Sequence, residues 1–173
     1  MIKSILIANR GEIACRIIRT AKKLGIKSYV IYSTEDESSL AVKLADKAFL
    51  LESTCSEKKE YLDGEQIISI AQKNKIEAIH PGYGFLSENS NFAKLVEDTG
   101  IKFIGPPYKA IEIMGDKIIS KKHAKNIDVS TIPGLQDEIK SYEDAIKAAD
   151  KIGFPLIIKA SGGGGGKGMR IVY

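Results

Sequence analysis

The sequence has no long apolar run, few arginines, no cysteine framework and no internal repeat. Each of these absences excludes a class. No apolar stretch approaches the roughly 18 residues of a membrane span. The opening segment Met1-Ile2-Lys3-Ser4-Ile5-Leu6-Ile7-Ala8 is too short in its apolar part to read as a secretion signal, and a helical pattern follows at once, so a cytoplasmic chain is expected. Cys15 falls in a helical stretch and Cys55 in a polar loop, without metal-type spacing, so both are expected to be reduced thiols and no metal site is expected. Arginine is confined to Arg10, Arg16, Arg19 and Arg170, so lysine carries most of the net charge of +4. The basic residues interleave with Asp and Glu along helices, which describes a solvated surface rather than a nucleic-acid stripe. The apolar and charged fractions, 43% and 28%, are those of an ordinary soluble protein. At 173 residues there is room for one full domain and part of another.

What is present first is alternation. Apolar runs at Ser4–Ala8, Ser28–Tyr32, Ala48–Leu51, Glu77–His80 and Lys102–Ile104 read as strands. Between them, helical spacing covers Gly11–Leu24, with Ile13, Ile17, Ala21 and Leu24 on one face and Gly25 as the stop. Further helices are expected around Ser39–Ala45, from Asp63 to Lys73, and over Ser90–Asp98. This order predicts an α/β fold with a parallel, doubly wound sheet. Gly105-Pro106-Pro107 closes it, and short helices follow near Tyr108–Met114 and Asp116–Asn126. The segment from Ile132-Pro133-Gly134 reads as a linker, Ser141 starts a helix to Ile152, and Leu156–Ala160 and Met169–Val172 form a hairpin. The expected organisation is a domain over residues 1–112, connector helices and linker over 113–134, and the start of a second domain over 135–173.

Four stretches carry chemistry. Ala8-Asn9-Arg10-Gly11-Glu12 joins the first strand to the first helix, where a Rossmann protein holds pyrophosphate, but the G-x-G-x-x-G pattern is absent and Glu12 would set an acid beside any phosphate. A turn with a capping role is the reading. His80-Pro81-Gly82-Tyr83-Gly84-Phe85-Leu86-Ser87-Glu88-Asn89 lies at the carboxyl end of a strand, where open α/β sheets bind ligands. His80 reads as a satisfied core histidine, since no partner cluster is visible, while Tyr83 and Gly84 suit a ligand-facing role. In Met114-Gly115-Asp116-Lys117, Asp116 is a good N-cap, whereas Lys117 opposes the helix dipole. An anion beside Lys117 would explain it, a solvated surface lysine being the alternative. Lys159 ends an apolar strand, the run Gly162 to Gly166 follows, and Lys167-Gly168-Met169-Arg170 opens the return strand. A P-loop needs Gly at position 161 and Ser or Thr at 168, where this chain has Ser161 and Gly168. What remains is a hairpin loop whose N–H groups close over phosphate oxygens, flanked by two lysines; the alternative is a flexible linker.

Together these stretches, with Phe103-Ile104-Gly105-Pro106, resemble the biotin carboxylase family of ATP-grasp enzymes over the whole chain. Asp116-Lys117-Ile118 with Ser120-Lys121, Thr131-Ile132-Pro133-Gly134 and Gly166 to Ile171 look most like the α subunits of propionyl-CoA and related acyl-CoA carboxylases. The resemblance implies a Rossmann-like pre-ATP-grasp domain followed by the start of an ATP-grasp domain. It implies that ATP with Mg2+ phosphorylates bicarbonate, and that CO2 passes to biotin held on a carrier domain, for use by a carboxyltransferase subunit. By resemblance, Lys117, Lys159, Gly165, Gly166 and Met169 contact ATP, and Tyr83 and Gly84 lie near the biotin pocket. Arg16 and Arg19 match a homodimer contact, while Lys23 stands where some members carry an acid that helps it.

The resemblance also implies that the magnesium-binding glutamates, the catalytic base and the bicarbonate- and biotin-binding arginines lie beyond residue 173. The expectation is therefore an N-terminal fragment without catalytic residues of its own, inactive alone. Two rivals stand beside it. The glycine loop alone would allow another ATP-grasp ligase, which the His80–Asn89 turn argues against. A non-catalytic α/β module that pairs with a separate C-terminal half is the other.

Overall fold

The computed structural model describes residues 2–52, 60–135, 139–159 and 168–173. The chain divides into two compact units, Met1–Ile111 and Glu112–Tyr173.

In the first unit the strands are β1 (Ser4–Ile7), β2 (Lys27–Tyr32), β3 (Lys47–Leu50), β4 (Ala78–His80) and β5 (Lys102–Phe103). The helices are α1 (Gly11–Lys23), α2 (Leu40–Leu44), α3 (Gly64–Lys73) and α4 (Ser90–Asp98), and α5 (Tyr108–Gly115) begins at its end. All four strand pairings are parallel and the sheet order is β3-β2-β1-β4-β5. The period-2 geometry of β1 splits its apolar residues between two cores. Ile7 packs with Ile13, Ile17, Ile18 of α1 and with Ala41 of α2. Leu6 and Ala8 pack on the opposite face with Ile67, Ile68 and Ala71 of α3 and with Phe92 and Val96 of α4. Helices thus cover both faces, as a parallel sheet requires. Leu6, Ile7, Ile18, Ile67 and Ile79 are fully buried, and truncating any of them to Ala costs about 2–5 kcal/mol.

Side-chain caps set where α3 and α4 begin. Asp63 accepts from the Gln66 N–H at 2.9 Å and Asn89 from the Phe92 N–H at 2.9 Å. Helix α1 is different: Arg10 at its N-cap makes no side-chain cap, so the expected capping role of that turn is not carried by its side chain. Leu24, expected on the apolar face of α1, is 64% exposed. The helix ends at Lys23, one residue earlier, and Gly25 takes the left-handed φ of +69° that turns the chain away. Single 3-10 turns at Thr34–Asp36 and Glu60–Leu62 were not legible as periodic patterns.

The second unit contains α6 (Lys117–Asn126), α7 (Tyr142–Ile152), β6 (Leu156–Ile158) and β7 (Arg170–Val172). Asp116 caps α6, accepting from the N–H groups of Ile118 and Ile119, both at 2.8 Å. Ser141 caps α7 through the Asp144 N–H at 3.1 Å. Strands β6 and β7 pair antiparallel in the register Leu156↔Val172, Ile157↔Ile171, Ile158↔Arg170. Among the described residues no helix is long and apolar enough to cross a membrane.

Candidate functional site

The strand order creates one topological switch point. The chain runs from β1 outward through β2 to β3, then returns to the other side of β1 for β4 and β5. The segments leaving the carboxyl ends of β1 and β4 therefore diverge on either side of a crevice, the place where open α/β sheets bind ligands. Those segments are Ala8–Glu12 and Pro81–Asn89, the first two of the four chemistry-bearing stretches.

Asn9 ties them together. It is 2% exposed, and its Nδ2 donates both protons, to the Pro81 carbonyl at 2.7 Å and to the Tyr83 carbonyl at 2.9 Å. Its Oδ1 accepts from the Arg10 N–H at 2.9 Å. A buried amide with every group paired is rigid, because loosening any bond leaves a desolvated polar atom. Gly82 lies against it at φ +68°, and a Cβ there would come within 2.6 Å of Asn9 Nδ2. Gly82 is thus required twice, by its backbone and by the approach of Asn9.

The rest of the turn is built as closely. The Gly82 N–H donates to His80 Nδ1 at 3.0 Å, which leaves the proton of the neutral ring on Nε2. Burial, and then the nearby Arg16 charge, push the His80 pKa below the ordinary histidine value. His80 is half-buried rather than in the core, with its Nδ1 paired to the Gly82 N–H. Gly84 has φ +65° and Phe85, unusually for a bulky residue, φ +45°. Leu86 anchors the turn in the core. Tyr83 and Phe85 are 59% and 46% exposed. The Tyr83 hydroxyl donates to Glu12 Oε1 at 2.7 Å, a bond that raises the Tyr83 pKa above the ordinary phenol.

A second cluster borders the same edge. Arg10 holds Asp36 with two bonds, from Nε to Oδ2 and from Nη2 to Oδ1 at 2.6 Å. The Tyr61 hydroxyl donates to Asp36 Oδ2 at 2.6 Å and accepts from the Ser33 N–H at 3.1 Å. The Tyr61 ring meets Phe85 with centroids 5.6 Å apart. The Arg10 hydrogen bond, against some desolvation, holds the Asp36 carboxyl below the usual carboxylate range. Burial, and then Asp36, raise Tyr61. Sequence reasoning missed this cluster. An acid just after β2 opposite an arginine just after β1 was a usable signal; nothing marked Tyr61.

The remaining candidates distribute as follows. Arg16 and Arg19 lie exposed on α1, beside the buried Cys15. In the second unit, Lys117 is the first residue of α6. Lys159 follows the last residue of β6 and Met169 precedes the first of β7, so both stand one residue beyond the Ile158↔Arg170 pair, at the same end of the hairpin. Gly165, Gly166, Lys167 and Cys55 lie outside the described residues. Among the described residues, no group of three or more His, Cys, Asp or Glu side chains could hold a metal ion.

A family model described as the biotin carboxylase N-terminal domain matches residues 1–111. Another, described as the ATP binding domain of the carbamoyl-phosphate synthase L chain, matches residues 116–173. The chain is 52% identical over 169 residues to the mitochondrial propionyl-CoA carboxylase alpha chain of Homo sapiens, covering 98% of this chain and 23% of that one. It is 48% identical over 171 residues to the 2-oxoglutarate carboxylase small subunit of Hydrogenobacter thermophilus, covering 99% of this chain and 36% of that one. Among solved structures, a biotin carboxylase–β,γ-ATP complex from Campylobacter jejuni superimposes with a TM-score of 0.92 at 45% identity, over 99% of this chain and 38% of that one. The biotin carboxylase domain dimer of the Hydrogenobacter thermophilus 2-oxoglutarate carboxylase, in complex with MgADP, ADP and bicarbonate, gives 0.92 at 48%, over 99% and 37%. The chain spans about a quarter of the length of the propionyl-CoA carboxylase relatives.

Proposed function

Since the chain belongs to the biotin carboxylase family, through its N-terminal domain, we propose that it works in the ATP-dependent carboxylation of carrier-bound biotin with bicarbonate. Within that reaction the chain supplies part of the nucleotide site and one wall of the biotin site. The observation that carries this reading is the switch point: the two turns of the N-terminal domain that flank it are pinned to each other by Asn9. The identity to propionyl-CoA carboxylase alpha chains supports an acyl-CoA carboxylase as the whole enzyme, with a carrier domain and a carboxyltransferase as partners in the cytoplasm. Residues 1–112 would be the pre-ATP-grasp domain, 113–134 the connector, and 135–173 the start of the lid subdomain.

The second unit's donor set fits a nucleotide phosphate. Lys159 stands one residue past the Ile158↔Arg170 pair of the β6–β7 hairpin and Lys117 in the first turn of α6, where the helix dipole itself favours an anion. Gly165 and Gly166 would let backbone N–H groups approach the phosphates, and Met169 would pack near the base. Phosphoryl transfer is mostly positioning and charge neutralisation, and these cations supply both. Mg2+ would add further charge neutralisation to the phosphates, but no group among the described residues fits it. Tyr83 and Gly84 would face biotin. Arg16 and Arg19, exposed on α1, would meet a second copy; the dimeric state of the Hydrogenobacter domain supports this.

A chimera tests the reading: residues 1–173 replace the matching segment of the Campylobacter biotin carboxylase. Bicarbonate-dependent ATP cleavage is expected. Lys159→Ala should lower its rate by about 100-fold or more, as loss of a transition-state charge contact does, and Lys117→Ala should raise the ATP KM more than it lowers kcat. Near-normal turnover of the Lys159→Ala chimera would return the glycine loop to a plain linker.

A further inference from the structure

Glu12 would repel a phosphate from the β1–α1 turn, yet it sits at the edge of the switch point. It accepts from the Tyr83 hydroxyl at 2.7 Å, across 71 residues of sequence. The Tyr83 backbone is held from the same side, by Asn9 on its carbonyl. Backbone and ring tip of one residue are thus both fixed by the turn that opens α1. From this geometry we propose that Glu12 is a positioning residue for biotin: it holds the Tyr83 ring in the orientation that the Tyr83–Gly84 turn presents to the ligand, with Asn9 as its backbone counterpart. The proposal rests on reading that turn as the biotin-side wall.

The physical need is clear. A ring 59% exposed would otherwise sample several χ1 wells, and ordering it on binding costs free energy. A carboxylate acceptor gives a charge-assisted bond, stronger than a neutral one, that orders the ring before the ligand arrives. Asn9 holds the Tyr83 carbonyl and Gly82 packs against Asn9, so the Tyr83 backbone is fixed and its ring tip is the remaining freedom. Glu12 is exposed, so its replacement leaves both cores intact.

Two readouts test this. In the 173-residue chain with 13C-labelled tyrosine, assigned by Y83F, Tyr83 should ionise above the ordinary phenol, and Glu12→Gln should bring it back toward that value. In the chimera, with free biotin as the probe, Glu12→Ala and Tyr83→Phe should each raise the biotin KM about three- to tenfold, the worth of one hydrogen bond, with a smaller change in kcat. The double variant should be no worse than either single one, because both remove the same bond. Glu12→Gln, whose amide oxygen still accepts, should recover part of the loss. A Tyr83 titration unmoved by Glu12→Gln, or KM effects that multiply in the double variant, would overturn the positioning role. A titration that moves while the biotin KM stays within about twofold in both single variants would instead overturn the biotin reading of the turn, and the positioning role with it.

Discussion

Gly82→Ala should be far more damaging than Gly84→Ala, although the two glycines lie two residues apart at nearly the same φ, +68° and +65°. An alanine at either position bears the left-handed penalty, about 1–2 kcal/mol. At Gly84 nothing lies within 4 Å of the added Cβ, so that penalty is the whole cost. At Gly82 the Cβ would meet Asn9 Nδ2 at 2.6 Å, Cγ at 2.9 Å and Cβ at 3.0 Å. Asn9 is buried and holds two carbonyls, so it cannot retreat without breaking them. Overpacking of this kind adds about 1–3 kcal/mol. Native-state hydrogen exchange at the buried amides of β1 and β4 reads the stability of the first unit alone. Gly82→Ala should lose about 2–5 kcal/mol and Gly84→Ala about 1–2 kcal/mol. Equal losses would mean that Asn9 is not wedged against Gly82, and the pinned switch point would fall with it.

Asp36→Asn should destabilise the first unit by about 1 kcal/mol at neutral pH. Because the folded Asp36 titrates below its unfolded value, its contribution is present above about pH 4 and fades as the pH falls further. Urea unfolding should therefore show the two chains converging in acid, and a gap independent of pH would refute the Arg10–Asp36 account. His80 should titrate below about 6.5 by NMR with its proton on Nε2. The stability tied to its neutral ring should be complete above that pH and decline below it, and Arg16→Ala should raise the midpoint. A midpoint at or above the ordinary value would contradict the burial of His80 beside Arg16, and a proton on Nδ1 would contradict the Gly82–His80 bond.

The fold was largely legible because its signals are local. Apolar runs of three to five residues separated by helices leave few arrangements, and Asp63, Asn89, Asp116 and Ser141 each cap the helix that follows them. Leu24 misled because apolar spacing does not report where a helix ends. Gly25 does, and it ends α1 one residue sooner than the pattern suggests. At the switch point the sequence marked both turns but not their joint. Asn9 to Pro81 spans 72 residues and Arg10 to Asp36 spans 26, and no periodicity links partners that distant. Glu12 was visible only as an obstacle to phosphate; its use appears once Tyr83 is brought beside it.

The account's central claim is that this chain takes part in carboxylating biotin. The most direct measurement is transfer of [14C]bicarbonate to free biotin by the chimera that carries residues 1–173, with and without ATP. The account predicts label in biotin that requires ATP and that falls steeply with Lys159→Ala. A folded chimera that cleaves ATP but leaves biotin unlabelled would contradict it.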